Sequence, residues 1–222
     1  IFHAYKTSFE GSTYKKPELL SDDPYAKGLV VDATWHQEIC AIAQNNEHAA
    51  IVYENKIWVV ERKGKNWGTP VVLPRRINRS KDNAYAALAG NGDRLIVALS
   101  DKKLKTFDLF QTTKKVDGEW NELVKLGESI NTPANENYPS FSEDGYTLYF
   151  SSDKSGGNGK YDIYKSVLQE NNEWSSPEIM PVPINSDGND ITYKEYKSIN
   201  KAYFSSDRKG GFGQYDIYEV LH

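Results

Sequence analysis

The run Tyr149-Phe150-Ser151-Ser152-Asp153, followed by Gly156-Gly157-Asn158-Gly159-Lys160-Tyr161-Asp162-Ile163-Tyr164, comes back 54 residues later without a gap. The second copy is Tyr203-Phe204-Ser205-Ser206-Asp207 and Gly210-Gly211-Phe212-Gly213-Gln214-Tyr215-Asp216-Ile217-Tyr218. Weaker copies of the closing aromatic end stand at Phe2-His3-Ala4-Tyr5, Lys56-Ile57-Trp58 and Phe107-Asp108-Leu109-Phe110. The closing aromatics Tyr5, Trp58, Phe110, Tyr164 and Tyr218 are thus spaced 53, 52, 54 and 54 residues apart. A second series keeps the same period. Tyr14, Trp67, Trp120 and Trp174 follow nine or ten residues behind the first, and Pro17, Pro70 and Pro177 come three residues after three of them. A period of this length marks one structural unit stacked on its neighbours, because so short a unit cannot bury its own apolar face.

Upstream of each closing aromatic lie two more strand signals. Residues 138–142 and 147–151 flank the tight turn Glu143-Asp144-Gly145, residues 84–89 and 94–99 flank Gly90-Asn91-Gly92-Asp93, and residues 39–43 and 49–53 flank a third connection. Each period therefore reads as four short antiparallel strands, A to D, which is the content of a propeller blade. Solenoid units of this length are helical, and the chain lacks the 3.6-residue period. The expected fold class is all-β: a β-propeller of four-stranded antiparallel blades in one domain over residues 1–222, with blade parts at about 1–20, 29–77, 80–130, 135–184 and 189–222. In chain order the strands run C-D, then A-B-C-D three times, then A-B-C. Closed through the N-terminal D strand, the chain makes four blades. Five blades need an A-B pair before Ile1, which makes the chain a segment of a longer protein, and this is the expectation. A two-stranded first blade is not expected, since it bares the channel wall.

Composition agrees: aromatics are 13% of the chain, with fifteen Tyr and one Met, as strands and turns require. A net charge of −4 offers no basic face to nucleic acid. Cys40, the single cysteine, excludes an intrachain disulfide and reads as a small buried hydrophobe. His3, His36, His48 and His222 show no metal-ligand pairing. Gly156-Gly157-Asn158-Gly159-Lys160 has the look of a phosphate loop, but Tyr161 stands where Ser or Thr is needed and no helix follows. Asp153, Asp162, Asp207 and Asp216 flank glycine-rich loops that lack the alternating oxygens of a calcium loop, so they read as turn and cross-strand residues. A Gly-x-Ser-x-Gly elbow is missing, and no stretch approaches the roughly 18 apolar residues of a membrane span. No catalytic residue, cofactor or metal is expected, and the chain is not read as an enzyme.

At Tyr138-Pro139-Ser140-Phe141-Ser142-Glu143-Asp144-Gly145, Leu148-Tyr149-Phe150-Ser151-Ser152-Asp153 and the glycine-rich run to Tyr164, the chain resembles the WD40-like, or TolB-like, propeller repeats. The glycine insert followed by Tyr161-Asp162-Ile163-Tyr164 is similar to those of outer-membrane-protein-A-family lipoproteins of Bacteroidetes. Two copies match closely and three in outline, and the pairs Ile77-Asn78, Ile130-Asn131 and Ile184-Asn185 before each new blade fit the same pattern. The resemblance implies a periplasmic, outer-membrane-associated module, flanked in that family by tetratricopeptide repeats and a peptidoglycan-binding domain. It also implies kinship with a component of the type IX secretion machinery. Peptidoglycan contact is then expected only through a flanking domain.

Deviations from the period are the better site candidates. They are the cluster Arg75, Arg76, Arg79 and Lys81, and the run Lys102, Lys103 and Lys105 where other blades carry glycines. Both fall in expected loops, where propellers meet partners. The function expected is a non-catalytic interaction scaffold for other envelope proteins. The alternative is a carbohydrate-binding or carbohydrate-processing propeller using carboxylates and tyrosines near the channel. A weaker third is the propeller of a larger peptidase.

Overall fold

The computed structural model describes residues 47–53, 55–64, 66–78, 83–100, 106–211 and 213–221, and the backbone of short strands at 5–6, 9–10, 13–14, 18–19 and 37–42. The N-terminal part contributes β1 (Tyr5–Lys6), β2 (Phe9–Glu10), β3 (Thr13–Tyr14) and β4 (Glu18–Leu19). The first sheet holds β5 (Gln37–Ile42), β6 (His48–Tyr53), β7 (Lys56–Lys63), β8 (Asn66–Trp67) and β9 (Val71–Val72). The second holds β10 (Asn83–Leu88), β11 (Arg94–Ser100), β12 (Phe107–Thr113) and β13 (Val124–Lys125), and the third β14 (Glu136–Phe141), β15 (Thr147–Ser152), β16 (Asp162–Val167) and β17 (Glu178–Ile179). In the fourth, β18 (Asp190–Tyr196) is joined by a 3-10 turn to β19 (Lys201–Ser206), which pairs with β20 (Asp216–Leu221). These four antiparallel sheets are the blades of a β-propeller, with the A strands β5, β10, β14 and β18 innermost.

The C-to-D connection is built the same way each time. Trp58 pairs with Val72, Phe110 with Lys125, and Tyr164 with Ile179. The intervening aromatic closes the hairpin, as Arg62 faces Trp67, Lys114 faces Trp120 and Leu168 faces Trp174. The N-terminal segment repeats both relations, with Tyr5 opposite Leu19 and Phe9 opposite Tyr14. The C and D strands expected at the N-terminus are thus present and paired. The hairpin that sets their register lies within residues 5–19.

The core lies between the sheets, and this explains the unbroken apolar run Leu95-Ile96-Val97-Ala98-Leu99 in β11. Leu95, Val97 and Leu99 pack with Ala50, Val52 and Ile57 of the first blade, while Ile96 and Ala98 pack with Phe141, Leu148 and Phe150 of the third. Tyr149 and Ile163 then meet Tyr193, Ala202 and Phe204 of the fourth. Trp120 and Trp174 turn back into the interface with the preceding blade, and the Trp174 indole N–H donates to Gln111 at 2.8 Å. The tight turn in the third blade is tied by Asp144, which accepts from Ser142 Oγ at 2.6 Å and from the Tyr146 N–H at 2.9 Å. Gly145 follows at φ 74°, a left-handed conformation that side chains resist.

After each D strand an asparagine locks the blade's outer edge. Asn78 Oδ1 accepts from the Ile57 N–H at 2.7 Å, Asn131 Oδ1 from the Leu109 N–H at 2.7 Å, and Asn185 Oδ1 from the Ile163 N–H at 2.7 Å. In each case Nδ2 donates to the same C-strand residue's carbonyl and to the carbonyl of Leu73, Leu126 or Met180.

Candidate partner-binding surfaces

The turn that follows β9 is closed by the Ile77 and Asn78 N–H groups, which both donate to the Pro74 carbonyl at 2.9 Å. It carries Arg75 and Arg76. Arg75 is exposed. Arg76 instead reaches to the second blade, where its Nε and Nη2 donate to the Trp120 carbonyl at 3.1 and 2.8 Å and its Nη2 lies 3.5 Å from Glu119. Arg79, Lys81, Lys102, Lys103 and Lys105 lie outside the described residues. Arg76 also lines a groove of about 600 Å³ between the first two blades, with Val59, Val71, Val72, Lys114 and Glu119 among its walls. Val71 is 62% exposed there. At one side Lys114 donates to Glu61 at 3.0 Å, and this bond holds the Glu61 carboxyl below its ordinary pKa.

The carboxylates at the glycine-rich ends of the blades are occupied by their own loops. Asp153 accepts from the N–H and Nδ2 of Asn135, both at 2.7 Å, and Asp207 repeats this with Asn189 at 2.6 Å. Glu136 accepts from Thr132 and Ser152, and Asp190 from Ser186 and, at 2.6 Å, from Arg208. Asp162 Oδ2 accepts from the Gly159 N–H at 3.1 Å, while its Oδ1 is buried without a hydrogen-bond partner. Burial pushes the Glu136 and Asp162 carboxyls up. The glycines are there for close approach: a Cβ on Gly157 would fall 1.9 Å from Asp162 Oδ2, and one on Gly159 would fall 1.9 Å from the Gly188 carbonyl. Among the described residues no group of three or more His, Cys, Asp or Glu side chains is placed to hold a metal ion. His48 lies 3.8 Å from Glu61; the other three histidines and the Cys40 side chain are outside the described residues.

Two features escape sequence reasoning. The A strands of the third and fourth blades bulge at Tyr138 and Thr192, which sit at φ 52° and 58°, a region costly for bulky and β-branched residues. The Tyr138 ring lies 4.4 Å from that of Tyr85 and 5.9 Å, edge-on, from that of Tyr161, so tyrosines of two blades cluster beside the axis. The second feature is the far face of the fourth blade. Ile163 is fully buried, yet Ile217, one period on, is 79% exposed and Leu221 70%. The Tyr149 hydroxyl donates across the blade interface to Glu195 at 3.0 Å, whereas that of Tyr203, its counterpart, bonds Glu219 of its own blade at 2.7 Å.

No protein-family model matches this sequence, and no curated protein does. Solved structures do. TolB from Acinetobacter baumannii superimposes with a TM-score of 0.54 at 11% identity, over 93% of this chain and 44% of that one. A protein described as a putative TolB from Agrobacterium tumefaciens gives 0.53 at 17% identity, over 81% of this chain and 59% of that one. The fold is a TolB-like β-propeller. The chain spans about half the length of the TolB structures it matches, and among its described residues no helix is long and apolar enough to cross a membrane.

Proposed function

We propose that this TolB-like propeller is a non-catalytic protein-interaction scaffold of the bacterial periplasm, associated with the outer membrane and holding other envelope proteins. One observation carries the reading. The carboxylates of Asp153, Asp207 and Asp190 are consumed by intramolecular bonds, while apolar surface is left uncovered at the Val71–Val72 groove. Uncovered apolar patches with a polar rim mark protein interfaces, and the exposed Arg75 beside the groove supplies such a rim. The lysine run Lys102, Lys103 and Lys105 and the pair Arg79 and Lys81 belong to the same proposal as partner contacts. The resemblance to Bacteroidetes lipoproteins supports a finer reading, a place in a type IX-like secretion assembly, with peptidoglycan reached through a flanking domain. The test is capture from envelope extracts with Arg75→Ser, Val71→Asp and Lys102→Ser/Lys103→Ser baits beside the wild type. An identified outer-membrane or secretion protein that wild type retains and at least one variant loses supports the scaffold. Equal capture by all four, or none, overturns the assigned surfaces.

The tyrosine cluster favours carbohydrate binding as a second reading, since ring faces beside amide and carboxylate groups suit sugars. Saturable retention on a glycan array, lost in Tyr138→Ala, would support it. A blank array would remove it.

A further inference from the structure

The D strands β9, β13 and β17 are two residues long, and two of the three carry a charge at the rim. In β13 Lys125 reaches back to Asp108 of its own blade at 2.9 Å, and in β17 Glu178 pairs with Lys165 at 3.2 Å. Charged side chains on an edge strand discourage a further strand from pairing there. β9 is Val71-Val72, opposite Val59 and Trp58, and has no such charge. Both valines are exposed, Val72 by 42%. The Leu73 N–H donates inward to the Ile57 carbonyl at 2.9 Å, and backbone groups alternate in direction along an antiparallel strand, so the Val72 N–H and C=O point away from the blade. Among the described residues nothing pairs with them.

The groove between the first two blades runs along this edge, with both valines in its wall. Its charges are unbalanced. Lys114 is tied to Glu61 at 3.0 Å and Arg76 to Glu119 at 3.5 Å, whereas Lys63, also in the wall, makes no ion pair among the described residues, and neither does Arg75. The Lys63 side chain lies 3.6 Å from where a Cβ on Gly68 would fall, three residues before Val71, and the exposed Arg75 comes three residues after Val72. A cation therefore stands toward each end of the edge.

We propose that β9 is a docking edge for an extended acidic segment of a separate protein, which adds antiparallel outside Val71-Val72. The segment's backbone takes up the Val72 N–H and C=O, apolar side chains at its centre cover the two valines, and a carboxylate toward each end meets Lys63 or Arg75. A second copy of this chain fits badly. Antiparallel pairing of β9 with its own image brings the Lys63 end of one edge to the Arg75 end of the other, cation against cation. The inference rests on the scaffold reading for the nature of the partner, and adds the mode of attachment and the partner's charge.

The probe is a random dodecapeptide library displayed on phage and panned against the protein. Enriched peptides are then synthesised with fluorescein and titrated by anisotropy. They are expected to carry Asp or Glu on either side of an apolar centre and to bind saturably below about 1 mM. Val72→Pro removes only the outward N–H, since an edge strand tolerates proline where its donor faces solvent. With the fold checked by circular dichroism, it should weaken binding about tenfold or more, Lys63→Glu should do the same, and Glu170→Gln, in an exposed turn of the third blade, should leave binding intact. No enrichment over the bare support, enriched peptides without acidic residues, or affinity unchanged by Val72→Pro overturns the proposal. A dimer in sedimentation velocity that Val72→Pro abolishes makes the occupant a second copy and overturns the separate partner. The two readings fail separately. Peptides that meet these terms with no partner in envelope extracts leave the edge standing and sink the scaffold, whereas a captured partner indifferent to Val72→Pro keeps the scaffold and removes the edge.

Discussion

Asn185 holds Ile163 by both of its backbone polar groups, accepting from the N–H at 2.7 Å and donating to the carbonyl at 2.9 Å, while its second amide hydrogen goes to Met180 at 2.8 Å. All three bonds are shielded from water, since Asn185 is fully buried. Asn185→Leu keeps the volume and leaves buried peptide groups unsatisfied, at about 1–3 kcal/mol for such a group. A loss of about 3 kcal/mol is expected, read as a lower urea midpoint at constant m-value. Asn131→Leu should behave alike, and a loss under about 1 kcal/mol would contradict the clamp.

Gly159 and Gly127 separate close approach from mere loop preference. An added Cβ at Gly159 meets the Gly188 carbonyl at 1.9 Å, whereas at Gly127 nothing lies within 4 Å. Gly159→Ala is expected to cost more than about 2 kcal/mol and Gly127→Ala to stay within about 0.5 kcal/mol, by thermal or urea unfolding.

Arg75 and Arg76 are adjacent and differ in work done. Arg76 spans to the Trp120 carbonyl, so Arg76→Ala should lower stability by about 1 kcal/mol, through lost bonds and lost packing of its stem. Arg75→Ala, at an exposed position, should change it by less than about 0.5 kcal/mol. Equal effects would remove the strut.

Glu136 sets a pH signature. It touches Thr132 on its own linker and Ser152 on β15, and it feels the charges of Asp108 on β12 and of Lys154. Burial raises its pKa in the folded protein, so the folded state takes up the proton first as pH falls. Its contribution to stability therefore increases on acidification from neutral pH toward the unfolded-state value. The stability difference between wild type and Glu136→Gln should move in favour of wild type between about pH 7 and pH 4.5. A flat or opposite trend in unfolding midpoints would contradict it.

The blade architecture was legible because two aromatic series kept one period, and those positions turned out to set the C–D register. The Ile130-Asn131 and Ile184-Asn185 pairs were visible as recurrences, but not their work. Each asparagine's partner lies 22 residues back, across a hairpin, and a string of letters does not show what meets there. The bulges at Tyr138 and Thr192 were hidden too, since neither residue type announces a left-handed backbone. Arg75 and Arg76 looked alike in sequence, and only the reach to Trp120 tells them apart. Ile163 and Ile217 sit in identical motifs, so burial of one and exposure of the other depends wholly on what stacks against each blade.

Hydrogen exchange of β7, β12 and β16, resolved residue by residue by NMR, tests the central claim that an asparagine clamps the outer edge of each of these three blades. The N–H groups of Ile57, Leu109 and Ile163, each bonded to an asparagine, should exchange slowly, near the limit set by global unfolding, and in Asn185→Leu that of Ile163 should exchange about tenfold or more faster than that of Leu109. Equal protection of Ile163 and Leu109 in Asn185→Leu would mean that the asparagine is not the clamp, and would contradict the account.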